Sequence, residues 1–162
     1  MSIQQIIDII KDLGKDHENM LDLSKQKTEY VKKGDMKKLQ SLLLEERNRL
    51  RLVEQKEKKR IEAVEAWFHN HRLETEEWTV TNILERLENK QNKKELEQAS
   101  VQLAETIVKL KQQEKLNHDL IEQSMQFVQL SMNLLQPSIE NMNYGNKENA
   151  GSVKRSVFDS KA

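Results

Sequence analysis

From residue 1 to residue 136 the chain has no proline and only two glycines, Gly14 and Gly34, so little in its backbone can stop a helix. Over that length apolar residues recur at intervals of three and four, the spacing of one helical face. Of 162 residues 33% are charged and 4% aromatic, which favours long helices and leaves little material for a thick core. The expected fold is all-α: an elongated antiparallel helical hairpin or coiled coil of three long helices plus one short helix. Residues 1–136 are expected to form the helical domain and residues 137–162 a flexible C-terminal tail.

The first helix is predicted from Ser2 to about Lys33, carried by Ile3, Ile6, Ile7, Ile10, Leu13, His17, Met20 and Leu21. Gly34 can take the left-handed conformation that ends a helix, and Asp35 is a good N-cap for the next. So short a turn makes antiparallel neighbours. The second helix is predicted from Met36 to about Phe68, with Met36, Leu39, Leu43, Leu50, Val53, Val64 and Trp67 on heptad-related positions. Its pattern lapses at Glu57 and Arg60, inside an almost wholly charged segment. Thr75 is the expected N-cap of a short helix bearing Trp78, Ile83, Leu84 and Leu87, with Trp67 and Trp78 pinning it to the long helices. Asn89–Lys94 reads as a connector, and a last helix spans about Glu95 to Leu135 with a narrow seam of Leu96, Leu103, Ile107 and Leu110.

Little of this supports catalysis. Lysine plus arginine and aspartate plus glutamate number 27 each, so no net field draws the chain to nucleic acid or an anionic membrane. The basic clusters around Lys58 and Lys93 sit among acids and carry no stacking aromatics. The chain contains no cysteine, which excludes disulfides and thiolate metal sites and fits a cytosolic protein. Neither a signal peptide nor a membrane span is recognisable, and the expectation is a soluble intracellular protein. His69 and His71 are two apart, so on a helix they diverge by about 200° and cannot share a metal. His17 and His118 are isolated, the carboxylate pairs lie on charged surface, and the glycines form no phosphate loop. No enzyme activity, cofactor or metal is expected.

One stretch is apolar beyond structural need. In Leu120–Leu135, just before Pro137, apolar residues span an arc of about 220°, against the roughly 100° of an ordinary surface helix. The arc has two shoulders: Ile121, Val128 and Leu135 flanked by Met125 and Met132, and Leu120, Phe127 and Leu134 flanked by Leu130. Ser124 and Ser131 lie between them, small enough for another helix to come close. The first shoulder continues the register of Ile107 and is expected to face the chain's own helices. The second is expected to face a partner, although the same residues could all serve as internal core. Tyr144 and Gly145, in the Asn-Tyr-Gly at 143–145, read either as a loop tip or as a short docking motif.

The helix LNHDLIEQSMQFVQLSMNLLQP at Leu116–Pro137, the NYG at Asn143–Gly145 and the ending RSVFDSKA at Arg155–Ala162 resemble the FlgN family of flagellar export chaperones, in its Gram-positive branch. The resemblance implies a cytoplasmic chaperone of flagellar type III export. It implies that the C-terminal helices of hook-filament junction proteins, FlgK- and FlgL-like, bind at Leu120–Leu135. It also implies that Tyr144 and Gly145 dock to an export gate protein, FlhA-like. The alternative is a self-associating coiled-coil adaptor or structural protein that uses the same surface.

Overall fold

The computed structural model describes residues 2–73 and 77–145, residues 137–145 as backbone alone. Among the described residues there are four helices and no strand: α1 (Ile3–Lys33), α2 (Met36–Asn70), α3 (Val80–Arg86) and α4 (Lys90–Gly145). The chain divides into two units, Met1–Ile121 and Glu122–Ala162.

Local chemistry sets most of the helix ends. Ser2 caps α1 in a reciprocal box, its hydroxyl accepting from the Gln5 N–H while the Gln5 side chain accepts from the Ser2 N–H at 2.9 Å. Gly34 ends α1 in the left-handed region at φ 66°, where the Asp35 N–H reaches back to the Tyr30 carbonyl at 3.0 Å. Asp35 then caps α2 by accepting from the Lys38 N–H at 3.1 Å. The pairs Lys27 with Glu46 and Asp16 with Lys56 place α1 and α2 side by side and antiparallel, as the short turn predicts.

Four expectations need correction. The cap of the short helix is Thr79, whose hydroxyl accepts from the Asn82 N–H at 3.1 Å; Thr75 lies outside the described residues. Trp78 therefore precedes α3 instead of lying on it, and is 45% exposed with its ring edge against His69. Trp67 is buried as expected, packed edge-on against Phe68, and Ile83 is the residue that pins α3. Next, Asn89–Lys94 is no connector. The Asn89 side chain accepts from the N–H groups of Gln91 and Asn92, which starts α4 there.

At the other end, α4 continues through Pro137 to Gly145, so the segment expected as tail is helical as far as residue 145. A proline ring fixes φ near −65°, which a helix accepts. The cost of a proline inside a helix, about 3 kcal/mol, comes largely from the backbone donor it lacks. The fourth correction concerns α2. Met36, Leu43 and Leu50 are exposed, and Leu42 is the buried leucine. Charged residues take the inward positions midway along α2: Glu46 and Lys56 pair with α1, and Arg60 is held by Glu57 at 2.6 Å.

The core of Met1–Ile121 joins all four helices. Ile6, Ile7 and Ile10 of α1 meet Ala63, Val64, Trp67 and Phe68 of α2, Ile83 of α3, and Leu96 and Ala99 of α4. α1 and α4 run parallel, as Lys11 to Glu95, Glu18 to Gln102 and Thr28 to Gln113 show in turn. Towards the C-terminal end of α1 the interface turns polar. Asn117 donates to the Ser24 carbonyl and hydroxyl, the Ser24 hydroxyl donates to Glu114 at 2.6 Å, and Gln113 donates to the Thr28 hydroxyl. Lys27, 6% exposed, lies 2.7 Å from Glu46 and 3.0 Å from Glu114 and so ties three helices together.

Candidate functional site

The apolar arc of α4 begins where this polar layer ends. Ser24, Lys27 and Thr28 of α1 bond Gln113, Glu114 and Asn117 of α4, and α1 stops at Lys33. Leu120 is half-buried. From Ile121 onward both shoulders are exposed, from 38% at Ile121 to 70% at Phe127. Met125, Val128, Met132 and Leu135 are as open as Leu130 and Leu134. Ile107, whose register the first shoulder continues in sequence, is half-buried.

Ser131 returns its hydroxyl to the Phe127 carbonyl at 2.9 Å, which satisfies the group without a partner and leaves the middle of the arc low. The surface is also uncharged, since no acidic or basic residue occurs between Glu122 and Glu140 in a chain one-third charged. The sequence holds this signal openly. Large exposed apolar area of this kind marks an interaction site, and methionine suits one that must fit several shapes.

Tyr144 and Gly145 lie in the last turn of the α4 backbone, and the RSVFDSKA ending lies outside the described residues. The buried polar layer was missed by sequence reasoning. Its signal was available, because Ser24, Lys27 and Thr28 follow Met20 at helical spacing and Asn117 follows Leu110 by one heptad.

Elsewhere the titratable side chains are structural. The His71 ring stacks on Trp67 with its Nδ1 2.8 Å from the Trp67 carbonyl, and His17 Nδ1 lies 2.7 Å from the Leu13 carbonyl. Among the described residues no three His, Asp or Glu side chains gather as a metal would need. A 320 Å³ cavity between the helices is lined by His17, Glu57 and Arg60 among apolar residues. There the Glu57 hydrogen bond raises the Arg60 pKa against the opposing effect of burial, so both groups hold each other. Glu95 is held below its ordinary value by hydrogen bonds from Gln91 and then Lys11. No described helix is long and apolar enough to cross a membrane.

The comparisons with known proteins agree with the resemblance to that family over nearly the whole chain. A family model described as FlgN protein matches residues 1–152. The YvyG protein of Bacillus subtilis (strain 168) is 32% identical over 165 residues, with the whole of both chains covered. No solved structure matches. A chain whose described residues form four helices and no strand, and which matches that family almost from end to end, belongs to the FlgN family of flagellar export chaperones, which are not enzymes.

Proposed function

We propose that this chain works in the cytoplasm, where it binds the C-terminal amphipathic helices of hook-filament junction proteins, FlgK- and FlgL-like, and brings them to an FlhA-like export gate. The observation that carries this reading is the exposed, uncharged apolar arc of Ile121–Leu135. Helices destined to form coiled coils in an assembled filament carry apolar faces that are aggregation hazards until they assemble. A helix laid along an apolar groove hides such a face. Release at the gate requires a modest contact rather than a large obligate one. The chain has no nucleotide-binding loop, so energy for export comes from elsewhere.

The test is the double variant Phe127→Glu with Leu134→Glu. Two carboxylates placed in an apolar contact cost several kcal/mol, so binding of the junction-protein helices falls by at least about a hundredfold. Both residues are exposed, so the circular dichroism of the free chaperone stays near wild type. Retained binding with a collapsed fold would overturn the reading. For the gate, Tyr144→Ala is expected to spare binding of the junction protein and weaken binding to the gate protein; equal loss of both would remove Tyr144 from that role.

A further inference from the structure

We propose that the chain covers its own apolar arc: residues 153–158, with Val153, Val157 and Phe158, fold back along α4 and occupy Met125–Leu135 until a partner displaces them. The contact lies wholly within the unit Glu122–Ala162. The function proposed above supplies the displacing partner, but the contact itself does not rest on it.

The arc needs cover when no partner is bound. From Met125 to Leu135 every large apolar side chain is at least 56% exposed, and no charged residue interrupts them. So contiguous an apolar surface on a free protein invites aggregation. The nearest chain in sequence is residues 146–162, whose only large apolar side chains are Val153, Val157 and Phe158. A segment otherwise polar, charged or small has too little apolar material for a core of its own, so these three side chains need a surface supplied by a neighbour.

Reach and length agree. At about 1.5 Å of rise per residue, Leu135 stands about 15 Å from Gly145 along α4 and Met125 about 30 Å. At about 3.3 Å per extended residue, Val153 reaches about 26 Å from Gly145 and Phe158 about 43 Å. Both therefore reach back over the arc with length to spare for the reversal. Extended, Val153–Phe158 spans about 17 Å, close to the roughly 15 Å between Leu135 and Met125, which seats Val153 towards Leu135 and Phe158 towards Met125. Between them Ser131 has already turned its hydroxyl to the Phe127 carbonyl, so the middle of the arc asks for no polar partner.

Because the segment is tethered, a weak contact suffices. A short connection holds it at an effective concentration on the order of 1 mM. With a Kd of about 0.1 mM the contact is closed about nine-tenths of the time and weakens a competing ligand about tenfold. The arc is then shielded in the free chain and yields to any ligand that binds it well.

The chain has no cysteine, so Ser160→Cys in the full chain carries a single nitroxide label, read through the methyl signals of Met125 and Met132. Those signals are expected to broaden, and Val157→Ser with Phe158→Ser to restore them. No broadening, or equal broadening with and without the double substitution, would overturn the proposal. So would broadening seen only between a nitroxide-labelled chain and a separate isotope-labelled one, since a second copy would then be the occupant. The second probe is a synthetic peptide of a junction protein's C-terminal helix, titrated by calorimetry. It is expected to bind the double variant about tenfold more tightly than the wild type, as loss of a tethered competitor predicts. Equal affinity for the two would overturn the fold-back as a cover. A peptide that binds neither, with the methionine signals still broadened, would overturn the chaperone function proposed above and leave the fold-back standing.

Discussion

Lys27 shows at the scale of one residue why the bundle does not close on leucines alone. A lysine 6% exposed is tolerable only because Glu46 and Glu114 both reach its ammonium, at 2.7 and 3.0 Å. Removing it leaves two carboxylates facing each other with their shared cation gone. Breaking a wholly buried pair costs about 3–5 kcal/mol, but the Glu114 side chain is 41% exposed and water screens part of the loss. Lys27→Ala is therefore expected to lower unfolding stability in urea by about 2 kcal/mol. Adding Glu114→Gln to Lys27→Ala removes the repulsion and should recover part of that loss. A pair of variants whose effects simply add would mean that Lys27 and Glu114 do not interact.

At the scale of elements, legibility follows from whether local chemistry or a distant neighbour decides. α1, its left-handed stop at Gly34 and the Asp35 cap were legible because neighbouring atoms settle them. The inward face of α2 was not, since nothing near Glu46 or Lys56 in sequence reveals that Lys27 and Asp16 will pair with them across helices. Both shoulders of the candidate site could be read from spacing, but exposure is a property of three-dimensional packing that spacing alone does not state. Pro137 misled for a different reason: a proline weakens a helix without being obliged to end it, and α4 runs on to Gly145. Pro137→Ala restores the backbone donor that proline lacks. It is expected to stabilise the helix around residue 137 by roughly 3 kcal/mol locally and to slow amide exchange from Ser138 to Gly145. Unchanged exchange there would show that the proline is not the weak point of α4.

For the whole molecule the division of charge is as informative as that of apolar residues. The 54 charged side chains balance at 27 of each sign, yet none falls between Glu122 and Glu140, where the apolar arc lies. In Met1–Ile121, by contrast, ion pairs such as Lys27 with Glu46 and Asp16 with Lys56 join the helices. A partner docking on the arc meets neither a net field that steers its approach nor a fixed charge that demands its opposite. Burial of apolar surface then supplies the attraction, and moderate concentrations of sodium chloride leave that term nearly unchanged. Raising salt from about 0.05 to 0.5 M shortens the Debye length from roughly 14 Å to 4 Å, enough to remove most surface ion-pair attraction. Affinity for the junction-protein helices is expected to change by less than about twofold across that range, measured by calorimetric titration. A tenfold loss would mean that ion pairs outside the arc carry about 1.4 kcal/mol of the contact. Charge-reversal variants along α2 and the first half of α4 would then locate them, and the arc alone would no longer account for recognition.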